Sequence, residues 1–230
     1  MKIISRNPDE TGRAYALRVL KENITDTTLI PGTLLSENEL AKELGLSRVP
    51  VREALIELSQ SDIVEILPQR GSRVSLIDLK LVDEAGFFRR TLECAVVRLI
   101  CERSASVPLP EDFLLALGAN LKLQNFYIEN PSPDKLMELD NEFHHLLFSF
   151  ADKERCYRMC RDMGIHFDRV RHLALHSVRD LKIVNDHHAI YDAIRSGNAL
   201  QGEKLMEDHL SRFKIDEEFI RKDFPNYFVS

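Results

Sequence analysis

The stretch SENELAKELGLSRVPVREALIELSQSDIVEILPQRGSRVS, residues 36–75, decides the amino-terminal part of the fold. Ser36 offers a hydroxyl as N-cap, Glu39 follows at capping-box spacing, and Leu40 and Leu44 share one face, which predicts a short helix over Ser36–Leu44. Gly45 permits the left-handed turn that ends it, and Ser47 is read as the cap of the next helix. Pro50 falls in the first turn of that helix, where a missing N–H is tolerated. Val51, Ala54, Leu55 and Leu58 form one apolar arc, while Arg48 and Arg52 flank it toward solvent and Glu53 and Glu57 point the other way.

Working outward, two alternating apolar stretches, Ile63–Leu67 and Arg73–Ile77, enclose Pro68-Gln69-Arg70-Gly71-Ser72 and read as a hairpin with a glycine at its tip. Upstream, Ala14, Leu17, Leu20 and Ile24 predict a helix from about Thr11 to Thr27, ended before Pro31-Gly32. Three helices followed by a hairpin make a winged helix-turn-helix, assigned to residues 1–78. Exposed helical arginines alone are ordinary surface. In this arrangement Arg48 and Arg52 can present planar forks to a major groove, and Arg70 beside Gly71 suits a minor groove, so the partner expected is double-stranded DNA.

Charge makes that reading depend on a few residues. The 230-residue chain has a net charge of −6, and residues 1–78 hold ten Lys and Arg against twelve Asp and Glu. Phosphate contact must then come from placement and not from an overall basic field. The composition, 44% hydrophobic and 30% charged, is that of a globular protein. No apolar run is long enough to span a bilayer and the first residues lack a signal-peptide core, so a cytoplasmic location is expected. Cys94, Cys101, Cys156 and Cys160 sit at helical spacings in apolar stretches and read as reduced, buried thiols.

Residues 79–230 read as an antiparallel all-α bundle, with helices near Leu79–Arg103, Glu111–Glu129, Pro133–Ala151, Lys153–His176, Arg179–Ser196 and Ala199–Lys222. The chain is therefore mainly α, with a small β wing. Asp140 and His144 lie one turn apart on one helix, and His187 and His209 fall on the last two. Three imidazoles and a carboxylate inside a bundle would suit zinc, nickel or another divalent transition metal, with positions left for water or ligand. Spacing alone does not establish that they converge.

The combination of Pro31-Gly32, Leu34 to Leu44 (L-x-S-E-x-E-L-A-x-E-L), Gly45-Leu46-Ser47-Arg48, Pro50 to Leu55, Leu58 and Arg70-Gly71 resembles the GntR family of bacterial transcription regulators. The resemblance implies that Ser47, Arg48 and Arg52 contact phosphates and bases and that Gly71 approaches the minor groove. Asn38 departs from members that carry an arginine there. Downstream, Asp140-Asn141-Glu142-Phe143-His144, His187 through Ile194, and His209 are similar to the FCD ligand-binding domain of the FadR type. That likeness implies Asp140, His144, His187 and His209 as metal ligands. It also implies Arg89, in the R-x-x-L-E pattern ending at Glu93, as the residue that holds an effector carboxylate. An asparagine common in that domain is Lys153 here. His166 and Arg169 match no ligand position but lie on a helix that would line the bundle.

Together these features describe a bacterial regulator, and the resemblance implies a repressor, the commoner pattern in that family. A homodimer would bind an approximately palindromic operator under control of a small carboxylate effector, such as a sugar acid or a dicarboxylate. A metal-free pocket for an acyl thioester is the alternative within the family. An enzyme is the rival from another class, since Asp and three His also build hydrolase centres. Against it, the chain lacks H-E-x-x-H and the ordered His and Asp series of metal phosphohydrolases.

Overall fold

The computed structural model describes residues 1–177, 183–212 and 220–229. Helix α1 (Gly12–Thr25) is capped by the Thr11 hydroxyl, which accepts from the Ala14 N–H at 3.2 Å. It buries Ala16, Val19, Leu20 and Ile24 against α3 (Arg48–Ser59). Between them, α2 (Glu37–Leu44) begins at Ser36, whose Oγ accepts from Glu39 N at 3.4 Å, and ends at Gly45 with φ +64°.

The cap expected at the start of α3 is not made. Ser47 occupies the N-cap position without a side-chain bond to the helix. A capping hydroxyl takes the N–H of the second or third helical residue, and the third here is Pro50, which has none.

The wing differs from the two-stranded expectation. Strands β2 (Val64–Leu67) and β3 (Gly71–Val74) pair antiparallel, and β1 (Leu34–Leu35) adds to the far edge of β3, giving the order β1-β3-β2. Leu34 faces Arg73 and Leu35 faces Ser72, so β3 starts earlier than alternation suggests. It also ends earlier, because Ile77 pairs elsewhere, with Phe228.

Asp78 caps α4 (Leu79–Ser106) through Lys80 N at 2.8 Å. The helix runs three residues beyond the expected Arg103, up to the Val107-Pro108 break. Then come α5 (Glu111–Glu129), α6 (Pro133–Phe150), α7 (Glu154–Met163), α8 (Ile165–Ser177), α9 (Ile183–Ser196) and α10 (Ala199–Ser211). The single helix expected over Lys153–His176 is two, parted at Gly164, where a Cβ would stand 2.7 Å from the Cys160 carbonyl oxygen. The expected helix start at Arg179 and helix end at Lys222 cannot be joined to α9 and α10, since 178–182 and 213–219 lie outside the described residues. All four cysteines are free thiols, with Cys101 and Cys160 buried and Cys94 and Cys156 partly so.

Three apolar clusters result. One fills the winged module. A second joins α4, α5, α6, α9 and α10 around Val97, Ile100, Leu117, Phe143 and Ile190. A third, around Ile77, Val82, Phe167, Val170 and Phe228, sits at the junction.

Candidate functional site

The helical part brings its four candidate ligands together. Asp140 and His144 lie one turn apart on α6, His187 comes from α9 and His209 from α10, and all are buried. The turn joining the last two helices is set by Gly197, whose φ is +71° and whose Cβ would stand 2.8 Å from Ala105 backbone atoms. His209 Nε2 lies 3.2 Å from the Nε2 of both His144 and His187. Asp140 Oδ1 is 3.5 Å from His187 Nε2, and one ligand atom from each residue falls within 4.8 Å of the others. Nitrogens bound to zinc at about 2.0–2.1 Å stand about 3.3 Å apart in a tetrahedron, so the spacing fits a small divalent cation.

Each ligand is also backed on its far side. Gln124 Oε1 accepts from His187 Nδ1 at 2.8 Å, which fixes that ring as the Nδ1–H tautomer and aims the Nε2 lone pair inward. Glu93 Oε2 lies against His144 Nδ1, and Asp186 Oδ2 is 3.5 Å from His209 Nδ1. Arg171 donates to Asp140 Oδ2, leaving Oδ1 toward the histidines. Carboxylate or amide partners of this kind orient metal-binding imidazoles and raise their basicity. The Phe143 ring stacks on His187 with centroids 4.1 Å apart.

The electrostatics favour neutral imidazoles at His144 and His187 and charged carboxylates at Asp140 and Glu93. Burial lowers the pKa of His144 and takes that of His187 well down. Burial would raise the Asp140 carboxyl, but Arg171, His144 and His187 hold it below the usual carboxylate range. Burial likewise opposes ionisation of Glu93, yet Arg89 and His144 bring it down to about 2.

Arg89 lies close to this cluster but is not free: its Nε donates to Glu93 Oε1, and its guanidinium sits 5.5 Å above the Phe167 ring. It lines a narrow cleft with His144, Asn141, Tyr157, Arg161 and Asp168. Lys153 is an exposed residue in the turn before α7, away from this cleft. His166 and Arg169 face the winged module instead, as described below. Sequence names Glu93 only as the end of the Arg89 pattern and does not single out Gln124, Asp186 or Arg171. Gln124 carries a signal as a polar residue in phase with the apolar Leu117 and Leu121.

At the other end of the chain, Arg48, Arg52, Arg70 and Gly71 line one cleft between α2, α3 and the wing, together with Asn38. Ser47 is exposed ahead of α3 and does not line it. Glu57 turns away to pair with Arg13 at 3.6 Å, as expected. Glu37 does the opposite: its carboxylate meets Arg48 at 3.1 Å, so that arginine is not without a counter-charge. Gly71 has φ +91° and a Cβ there would stand 3.0 Å from Leu35 O, which gives it a structural reason to be glycine.

Residues 14–74 match the model of the bacterial regulatory proteins of the gntR family, and residues 84–212 match the FCD domain. The chain belongs to the GntR family. This GntR protein is 32% identical over 223 residues, 96% of each chain, to the HTH-type transcriptional repressor RspR of Escherichia coli K12. It is 27% identical over 205 residues, 88% of each chain, to the transcriptional regulator YdhC of Bacillus subtilis 168. Among solved structures, a GntR regulator from Rhodococcus sp. RHA1 matches with TM-score 0.70 and 25% identity over 94% of this chain and 98% of that one. E. coli McbR/YncC shares the fold with TM-score 0.76 at 18% identity, over 94% and 99%. The GntR protein is a DNA-binding transcriptional regulator whose FCD domain implies a small-molecule effector. Among the described residues no helix is long and apolar enough to cross a membrane.

Proposed function

We propose that this GntR regulator is a cytoplasmic, metal-loaded sensor of a small carboxylate, and that residues 1–78 act on operator DNA while residues 79–230 bind effector and dimerise. The observation that carries the reading is the convergence of three Nε2 atoms and one Asp140 oxygen, with hydrogen bonds behind His187 and Asp140 and a carboxylate beside the outer nitrogen of His144 and of His209.

Asp140, His144, His187 and His209 would hold a divalent transition metal, zinc or nickel. When bound, that ion supplies an electron-pair acceptor for effector oxygens. The protein does the rest. Arg89, next to His144, receives the carboxylate of a sugar acid or dicarboxylate, a step that exchanges its bond to Glu93 for one to the ligand. The neutral state of His144 and His187 keeps their lone pairs available.

On the DNA side, Ser47, Arg48 and Arg52 meet the major groove and Arg70 with Gly71 the minor groove. Their support is that the two helix arginines and the wing tip open onto one cleft. A two-fold dimer then requires two half-sites. We take the action to be repression relieved by effector, the commoner pattern in the resembling family, with the ligand acting by binding one arrangement of the two modules better than the other.

The test is metal analysis of protein purified without added metal. Stoichiometric zinc or nickel, lost in His209→Ala, is expected. Absence of metal in the wild type, unchanged by His209→Ala, would sink the metal site and favour a metal-free pocket.

A further inference from the structure

Two domains joined by a short linker hinge freely unless the joint is large and apolar. Here the joint has three attachments. Ile77, in the linker, donates its N–H to Tyr227 O at 2.8 Å and accepts from Val229 N at 3.0 Å, so the carboxy-terminal segment pairs with the linker as a short parallel bridge. Behind that pairing, Ile77, Phe228 and Ile220 are buried against Val82 of α4 and against Phe167, Val170 and Leu173 of α8. Helix α8 in turn reaches the winged module, where Ile165 packs into its core and His166 Nε2 lies 3.2 Å from Asp62 O, and from α7 Asp162 meets Lys21 at 3.0 Å.

The third attachment is costly. Arg169 is fully buried and Nη2 donates to Ser75 O at 2.7 Å, while Nε and Nη1 have no partner among the described residues. A buried guanidinium with one neutral acceptor and no carboxylate partner among the described residues disfavours the arrangement that buries it. The opposite side of the same helix carries Asp168 and Arg171, and Arg171 bonds Asp140.

We propose that the joint is a two-position latch. The segment Phe224–Val229 clamps the linker and α8 in the docked position, and the buried Arg169 opposes it, so that α8 is poised to release the winged module. Apolar burial and two backbone bonds hold the latch shut. The uncompensated cation keeps the shut state from being permanent. Because α8 also touches the metal-ligand Asp140 through Arg171, a change at that carboxylate acts on a joint already near balance.

The latch is tested on full-length protein by amide hydrogen exchange at Ser75–Leu79 and by thermal unfolding, neither of which depends on a metal or an effector. Deleting residues 224–230 should speed exchange at those linker amides at least about tenfold and separate unfolding into two transitions. Val229→Pro removes a single clamp N–H and should speed exchange in the same direction, which covers the case of a truncated chain that does not fold. Arg169→Met should act oppositely, slowing exchange and raising Tm. Unchanged linker exchange in the Val229→Pro protein would make the tail a passenger. Faster exchange in Arg169→Met would make Arg169 a strut and overturn the opposition. Metal content identical to wild type in these variants separates a failed latch from a failed metal site.

Discussion

Gln124 Oε1 accepts from His187 Nδ1 at 2.8 Å, and the nitrogen of the same amide donates to Asn120 Oδ1 at 2.6 Å. Asn120 is itself anchored by donating to Leu139 O at 3.0 Å, so a chain of three polar side chains crosses from α5 into α9 and α6. Replacing Gln124 by Met keeps the volume and removes the acceptor. We expect metal affinity to weaken about 10- to 100-fold, measured by chelator competition, with the fold intact by circular dichroism. Unaltered affinity would show that the amide has no part in aiming the ring.

Arg52 is exposed and has no ion pair among the described residues, whereas Arg48 is held by Glu37. Arg52→Ala should cost about 1–3 kcal/mol of operator affinity. Glu37→Gln frees Arg48 and should raise affinity for unrelated duplexes more than for the operator. Fluorescence anisotropy over a salt series, using duplexes selected by the full-length protein, reads both effects.

His166 gives the protein an acid-sensitive joint. Burial, with Arg169 beside it, lowers its pKa from 6.5 to about 4, against a small opposing effect of the bond to Asp62 O. The unfolded chain then binds the extra proton first, so stability is complete above pH 6.5 and falls as pH drops from 6.5 toward 4. The loss should reach about 3 kcal/mol. Urea midpoints for wild type and His166→Gln should converge as the pH falls through this window. Parallel curves would remove His166 from the account.

Gly197 holds the turn that brings His187 and His209 onto facing helices. With φ +71° and Ala105 backbone 2.8 Å from its absent Cβ, Gly197→Ala should cost at least about 1 kcal/mol in urea unfolding. It should also reduce metal binding more than the stability loss alone accounts for, because the spacing of two ligands depends on that turn.

What sequence could show was set by distance along the chain. The Ser36 cap, the Gly45 turn and the arc of Val51, Ala54, Leu55 and Leu58 are local and periodic, and the structure agrees with them. Strand β1 is only Leu34–Leu35, too short to alternate, and exists because β3 lies beside it. Gly164 stands between α7 and α8, where a side chain would collide with the Cys160 carbonyl, a constraint that periodicity does not register. The four ligands could be named from spacing and resemblance, but not their partners. Glu93 and Arg171 meet the ligands from α4 and α8, and no local pattern marks an interhelical contact. The pairing of Ile77 with Phe228 joins positions far apart in the chain, where pattern reading has no reach.

The two residues of β1 have a consequence for DNA reading. Because Leu35 braces β3 and its carbonyl oxygen lies close over Gly71, the β3 strand of the wing is paired on both of its edges before any duplex arrives. A strand paired on one edge can adapt to grooves of different width; a strand paired on both acts as a caliper. Operators should then be sorted by groove width at bases the arginines never touch, with stiff, narrow A-tracts beneath the wing preferred over flexible steps.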